Sequence, residues 1–227
     1  MASGEGNGRV RPGAEGLLAA AAQAFYEVGY GGTTVRTIAA RANVTVAALY
    51  HHFSSKNEIL TTLMRQVMET VLREAERALA QAGPTPAEQF AALVAAHVRY
   101  HTVHKVGAFV SNSELRSLEP PGQQEITGMR DRYEGLFAGT IERGVDEGVF
   151  QVDDPRQAAR AVLAMCSGVS AWFRPGGPLT AEQVQQEHVA LALNTVRYAP
   201  DGPARLGAGR VATAATRSSA PASASAS

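Results

Sequence analysis

Apolar side chains recur along most of the chain at the three-to-four-residue spacing of amphipathic α-helices. The first run ends at the glycines that begin at position 29, and its apolar positions share one helix face: Leu17, Leu18, Ala21, Phe25 and Val28. No alternating run of β-branched residues bounded by hairpin turns breaks this pattern. The sequence therefore predicts an all-α fold.

Capping residues and prolines divide the pattern into about nine helices. Thr34 and Thr45 each precede a short apolar run and are good N-caps, so we expect helices over 35–42 and 46–52. A further break is expected at Pro120 and Pro121. The other helices are predicted over 17–28, 57–82, from 86 through 98, 106–118, from the proline break to 147, 155–173 and 181–198.

The two ends of the chain differ in composition from its middle. Residues 1–12 contain glycine, serine and a proline, and we interpret them as a flexible arm. Residues 199–227 are rich in alanine, serine, glycine and proline and are predicted to be a disordered tail. Between them we expect a smaller domain over 13–56, hereafter the head, and a larger domain over 57–198, hereafter the body.

Charge and cysteine content limit the class of protein. The chain carries 21 basic and 21 acidic side chains, with a small basic excess in residues 1–56 that suits local contact with DNA. The single cysteine, Cys166, excludes an internal disulfide. Neither a signal peptide nor an apolar run of about 20 residues is visible, so we expect a soluble cytoplasmic protein with no membrane partner.

Residues 33–53, TTVRTIAARANVTVAALYHHF, have the pattern of a helix-turn-helix. The first helix has an inward apolar face, and residues 42–44 form a turn in which Asn43 tolerates a left-handed backbone. Ala48 and Leu49 pack inward from the second helix. The opposite side of that helix is then free for base edges and offers Thr45, Val46, Tyr50 and His51.

These residues closely resemble the TetR family of bacterial transcription regulators. The positions that match its pattern are Thr33, Thr34, Ile38, Ala39, Val44, Leu49, Tyr50, His52, Phe53, Lys56 and Leu60. Two positions depart from it, since Val46 stands where a polar or basic residue is usual and Ala47 where glycine is frequent. The resemblance implies a repressor with a three-helix head that binds DNA and a larger helical body that dimerises and senses a small molecule.

The resemblance also implies roles for particular head residues. Thr34, Tyr50 and Lys56 are expected to contact backbone phosphates, while Thr45 and Val46 are expected to read base edges. His51 suits either contact. Arg36 and Arg41 are phosphate ligands or solvated surface, and core packing is the alternative for Tyr50. Phe53 is expected in the core.

One helix-turn-helix covers half of a DNA site, so the resemblance implies a homodimer on a near-palindromic operator. The candidate interface is the last pair of helices. Residues 158–171 are dense in alanine, glycine and serine, which allows close helix approach, and a second apolar face consists of Val184, Val189, Ala192, Leu193 and Val196. The alternative is that these residues form the core of one subunit.

The body carries a narrower resemblance, in SELRSLEP, RDRYEGLF and AWFRPGGPLT, to TetR-type regulators of fatty-acid or steroid catabolism. Several of these leave DNA on binding an acyl-CoA thioester. Such a ligand needs cations for its phosphates and an apolar slot for its acyl chain. The candidate cations are Arg116, Arg130, Arg132 and Arg174, and the candidate apolar contacts are Phe109, Leu115, Tyr133, Phe137, Trp172 and Phe173.

Two alternatives stay open for the body. The aromatic residues can be core and the arginines ordinary surface, and the effector can be another hydrophobic molecule, such as a drug or pigment, or absent.

Other functions are weighed for the whole chain. His97, His101 and His104 share one helix face at a spacing that suits a metal ion, but no nearby carboxylate or thiol completes the set, so we expect no metal. No phosphate-binding loop, nucleophile elbow or catalytic carboxylate pair is visible, so we expect neither enzyme activity nor a cofactor. A helical scaffold without DNA binding is the remaining alternative.

Overall fold

Every regular element is a helix in residues 13–200, the part of the chain that a computed structural model describes. The elements are α1 (Ala14–Gly32), α2 (Val35–Arg41), α3 (Val46–Tyr50), α4 (Lys56–Gln81), α5 (Pro86–Val103), α6 (Lys105–Ser113), a 3-10 turn (Leu115–Ser117), α7 (Pro120–Asp146), α8 (Pro155–Ser167), α9 (Val169–Trp172) and α10 (Ala181–Thr195). The predicted all-α fold is confirmed. The predicted arm over 1–12 and the predicted tail beyond residue 200 lie outside the described residues.

Several predicted helix boundaries differ from the structure, most clearly at three places. The helix predicted over 155–173 is divided at Gly168 into α8 and the one-turn α9, consistent with the low helix propensity of glycine. The helix predicted to continue to residue 118 ends at Ser113 and is followed by the 3-10 turn. Pro120 does not separate helices but begins α7, because a first helical position loses nothing when its N–H is missing.

Two threonine caps set the geometry of the head. Thr34 Oγ1 accepts the N–H of Thr37 at 3.1 Å, and Thr45 Oγ1 accepts the N–H of Ala48 at 3.1 Å, as their positions before α2 and α3 predict. Asn43 has φ of 56°, so the turn between the two helices uses the left-handed conformation expected of it. The head is therefore folded by local signals that the sequence displays.

The apolar face of α1 packs against α2 and α6 over most of its length. Leu17, Leu18 and Phe25 are buried there as predicted, but Val28 is 60% exposed. Val28 lies directly before Gly29, whose φ of 74° interrupts the helix, and no neighbouring helix covers the face at that point. The predicted stripe is thus wrong at its last position.

In the body, α4 packs against α5 and α7, while α10 lies along α5 and α8 along α7. The buried side chains form one continuous core from Leu17 to Val196, including the edge-to-face rings of Phe90, Phe137 and Phe150. Thus α1, which packs on both α4 and α6, connects the head to this core directly. No helix within residues 13–200 is long and apolar enough to cross a membrane.

Candidate DNA-binding surface and effector cavity

One side of α3 is buried and the other is open. Leu49 is fully buried and Phe53 is 5% exposed, so both belong to the core, as expected for Phe53. Tyr50 is 52% exposed, which excludes the core-packing alternative for its ring. Thr45 and His51 are exposed at the two ends of the same helix. The open side of α3 is therefore the surface that the sequence assigned to DNA.

The remaining head residues of the predicted DNA surface differ in exposure. Thr34 and Arg36 are exposed at the start of α2, although the hydroxyl of Thr34 is already hydrogen-bonded to Thr37. Val46 is only half-exposed and partly packs against the core. Arg41 forms an ion pair with Glu27 of α1, which uses its guanidinium within the head.

Lys56 lies at the first position of α4 and is directed toward the end of α1. Its Nζ donates to the carbonyl oxygen of Tyr30 at 2.8 Å and to that of Thr33 at 2.7 Å, and it lies 4.0 Å from the centre of the Tyr30 ring. Two of the three N–H groups of Lys56 therefore stabilise the connection between α1 and α2. The third N–H of Lys56 has no hydrogen-bond partner within residues 13–200.

The body encloses a cavity of about 190 Å³ between α4, α5, α6, α7 and α8, hereafter the inner cavity. Its apolar wall is the α4 face of Val67, Met68 and Val71. Asn112 and Ala164 are exposed on its rim, so it opens between α6 and α8. Several helices must pack together before this space exists.

A hydrogen-bonded polar cluster forms the opposite wall of the inner cavity. His97 Nδ1 lies 3.0 Å from Tyr133 Oη and its Nε2 lies 3.1 Å from Ser167 Oγ, so both ring nitrogens are used. His101 Nδ1 lies 2.9 Å from the carbonyl oxygen of His97, which can only accept, so this nitrogen carries the proton. The Nε2 of His101 is then an acceptor and lies 3.4 Å from Asn112 Nδ2.

Burial controls the protonation of these groups. Desolvation, with the neighbouring charge of His101, lowers the pKa of His97 well below its usual range. Desolvation also lowers the pKa of His101 and raises that of Tyr133. The polar wall is therefore neutral at physiological pH.

Arg130 is the cation of the inner cavity. Its guanidinium donates to the carbonyl oxygen of Ser111 on α6, and it forms no ion pair within residues 13–200. Glu134, one turn along α7 and on the same cavity wall, is paired with Arg160 instead. Burial lowers the pKa of Arg130, which reflects incomplete compensation of its charge. An anionic group at the rim would supply that compensation.

The structure brings two of the seven predicted ligand-binding residues, Arg130 and Tyr133, to the inner cavity and leaves five elsewhere. Phe137 is fully buried in the core. Phe109 packs edge to face on Tyr26 and lines a shallow groove beside α8 and α9. Arg116, Trp172 and Arg174 are exposed, with Trp172 stacked on His188. Trp172 and Arg174, two of the candidate effector contacts, therefore lie outside the inner cavity.

Sequence reasoning missed most of the inner cavity wall. The histidine spacing suggests only a metal site for His97 and His101, and no cavity-lining role was predicted from the sequence for Tyr100 or the α4 residues. The available signal was the set of polar side chains at 97, 100 and 101 on the otherwise apolar face of α5. No group of three or more histidine, cysteine or acidic side chains suited to a metal ion occurs in the described part of the chain.

A set of hydrogen bonds ties the cavity-lining helix α6 to the head. The N–H of Tyr30, at the end of α1, donates to Glu114 Oε1 at 3.2 Å just after α6. Asn57 Nδ2 donates to the carbonyl oxygen of Ser117 at 3.0 Å, and Asn57 Oδ1 accepts the N–H of Glu119 at 3.2 Å. A displacement of α6 would therefore reach the head through Glu114 as well as through α4.

Comparison with known families covers both halves of the chain. Residues 17–63 match the family described as bacterial regulatory proteins, tetR family. Residues 83–196 match the family described as tetracyclin repressor-like, C-terminal domain.

Individual proteins are similar over nearly their whole length. The transcriptional repressor KstR2 of Mycobacterium tuberculosis is 30% identical over 182 residues, which are 79% of this chain and 90% of that protein. The structure of the ketosteroid regulator KstR2 from that organism has a TM-score of 0.74 at 29% identity, covering 86% of this chain and 98% of that one. The structure of a regulatory protein of the tetR family from Rhodococcus RHA1 has a TM-score of 0.77 at 30% identity, covering 82% of this chain and 97% of that one.

Proposed function

The chain belongs to the TetR family and is a TetR-type transcriptional repressor, and from that premise we propose that an acyl-CoA thioester releases it from a near-palindromic operator. The head, residues 13–56, binds DNA, and the body, residues 57–198, dimerises and binds the effector. The proposed DNA contacts are Thr34, Arg36, Thr45, Val46, Tyr50, His51 and Lys56. The relative KstR2 is a transcriptional repressor, which is a non-enzymatic role.

The observation that carries the proposal is the position of the inner cavity. It lies against α4, the helix that begins in the head at Lys56 and lines the cavity with Val67, Met68 and Val71. It also lies against α6, whose end is hydrogen-bonded to the head through Glu114. A ligand in this space contacts two elements that orient the DNA-binding surface.

An acyl thioester fits the chemistry of the inner cavity. The apolar α4 wall suits an acyl group, and Arg130, which has no ion-pair partner within residues 13–200, adds a positive charge that suits an anionic ligand. A space of about 190 Å³ admits the acyl group but not the whole thioester, so the nucleotide part would lie outside. Because the relative KstR2 is a ketosteroid transcriptional regulator, we include ring-derived acyl groups in the proposed class.

The proposed dimer interface is the outer face of α8 to α10. Val184, Ala192 and Val196, which the sequence offered for the interface, are fully buried within one subunit. Half of the six large exposed apolar or aromatic side chains in residues 13–200 lie on α9, on α10 or shortly after it: Trp172, Leu191 and Tyr198. Exposed apolar side chains on or next to the last helices suit contact with a second copy.

Release is proposed to occur as a population shift. Effector binding favours an arrangement in which the two heads of the dimer no longer match consecutive major grooves, about 34 Å apart. The effector must therefore bind more tightly to this arrangement than to the DNA-bound one.

The test begins with an operator selected from random duplex DNA by repeated binding to the purified protein. Fatty and ring-derived CoA thioesters, free coenzyme A and the parent acids are then titrated into the protein–operator complex. We expect a two-fold symmetric operator and dissociation by at least one thioester but not by coenzyme A alone. If no thioester dissociates the complex, the acyl-CoA effector is wrong; if no operator is selected, DNA binding is wrong.

A further inference from the structure

A second space lies directly behind one wall of the inner cavity. This outer groove, of about 550 Å³, runs between α4, the end of α5 and the start of α6. Val67 and Tyr100 line both the inner cavity and the outer groove. These two side chains therefore form a partition between the inner cavity and a larger, more open space.

Tyr100 is the polar member of this partition. Its side chain is only 5% exposed, and its ring contacts those of His101 and His104. Its hydroxyl forms no hydrogen bond within residues 13–200, in contrast to Tyr133, whose hydroxyl is paired with His97. No fully buried side-chain oxygen or nitrogen in that range lacks a partner, so the Tyr100 hydroxyl reaches open space. The spaces that Tyr100 lines are the inner cavity and the outer groove.

The hydroxyl of Tyr100 is available as a hydrogen-bond donor. Desolvation, with the charge of Glu74, raises the pKa of Tyr100 to about 12, so the phenol keeps its proton at neutral pH. A nearly buried hydroxyl that has no protein partner within residues 13–200 can donate to a water molecule or to a ligand atom that reaches it. The complementary atom is an acceptor oxygen.

The outer groove is lined largely by apolar surface, but it also carries polar side chains that suit the hydrophilic part of such a ligand. Gln66 and Thr70 of α4 line it, together with His104 and Lys105 at the corner between α5 and α6. Lys105 Nζ donates to the carbonyl oxygen of Phe173 at 2.7 Å, which holds its positive charge in place beside the groove.

We propose that Tyr100 is a specificity-determining residue that donates a hydrogen bond to the acyl carbonyl or carboxylate oxygen of an effector spanning the inner cavity and the outer groove. The apolar part occupies the inner cavity, the oxygen lies at the partition, and the polar part extends past Val67 into the groove. This inference rests on the proposed effector response and adds the position of the acyl oxygen. A free acid and a CoA thioester share this chemistry.

The test measures direct binding to the full-length protein without DNA, by calorimetry, so that its result is separate from operator release. The probes are butyryl-CoA, octanoyl-CoA, cyclohexanecarbonyl-CoA and their parent acids. We expect Tyr100→Phe to weaken the tightest probe about tenfold, the loss typical of one hydrogen bond. The matched control, Tyr26→Phe, removes a hydroxyl outside both spaces and should leave binding unchanged.

A purely structural role for the Tyr100 hydroxyl predicts that Tyr100→Phe lowers the Tm of the ligand-free protein. We expect instead that this Tm is unchanged or slightly raised, because the hydroxyl has no protein partner within residues 13–200. Val67→Phe, which narrows the partition, should weaken thioester binding more than acid binding if the ligand spans both spaces. Equal binding of the tightest probe by Tyr100→Phe and wild type overturns the proposal, and so does failure of every probe to bind wild type. Thioesters that bind through Tyr100 without releasing DNA would overturn only the proposed function.

Discussion

His97 is a buried histidine whose two ring nitrogens are both committed to neutral partners, Tyr133 and Ser167. Desolvation and the neighbouring His101 lower the pKa of His97, so the folded protein resists protonating this ring. The unfolded chain takes up that proton near the ordinary histidine pKa of about 6.5. Stability should therefore be constant above that pH and fall as the pH drops below it.

We expect the free energy of unfolding to decrease by up to about 1.4 kcal/mol per pH unit for each such histidine between pH 6.5 and 5. His97→Gln should reduce this slope without abolishing it, because burial also lowers the pKa of His101. His52→Gln, at an exposed position, is the control. Urea denaturation at pH 7.5, 6.0 and 5.0 measures the slopes, and an unchanged slope in His97→Gln contradicts the assignment.

Lys56 combines a structural contact with a predicted phosphate contact. Since its Nζ holds the carbonyl oxygens of Tyr30 and Thr33, Lys56→Ala removes both a charge near DNA and a link between α1 and α2. We expect weaker binding to all operator sequences and a salt slope smaller by about one. Lys105→Ala, in the body, should leave the salt slope unchanged. If Lys56→Ala weakens binding to all operator sequences but leaves the salt slope unchanged, Lys56 contacts no phosphate and its role is structural.

Among the elements, α7 contains glycines in two different environments. A Cβ at Gly144 would overlap the ring of Phe150, whereas one at Gly139 would meet nothing within 4 Å. We expect Gly144→Ala to destabilise the protein by about 1–3 kcal/mol through overpacking. Gly139→Ala should stabilise it by up to about 1 kcal/mol through helix propensity. Chemical denaturation of both variants compares them, and equal effects would contradict the close packing of α7 on Phe150.

Helices were predictable from the sequence where their ends are set locally. Thr34 and Thr45 cap α2 and α3 with their own hydroxyls, and Pro86 begins α5 beside the Thr85 capping box. Val28 was mispredicted because its burial depends on whether another helix covers that end of α1. Local chemistry determines where a helix begins, while neighbouring helices determine which face is covered.

At the scale of the whole molecule, the outer face of α10 is part of the proposed surface through which two copies associate. Leu191 is 48% exposed on that helix. We expect Leu191→Asp to convert the dimer into a monomer, because a charge in an apolar interface has no partner. Val28→Asp places the same charge at an exposed apolar position on α1 and should leave the dimer intact. Light scattering after size-exclusion chromatography measures both masses, and a dimeric Leu191→Asp would contradict the proposed interface.

The sequence by itself determined the all-α fold, the capped helix-turn-helix and the exposed side of α3, because these follow from spacings of a few residues along one chain segment. It also placed Arg130 and Tyr133 among the candidate effector contacts. The tertiary structure alone decided that these two lie with His97 and Tyr100 around a cavity, while Trp172 and Arg174 lie outside it. A cavity is the space that five helices leave between them, and no single segment encodes it.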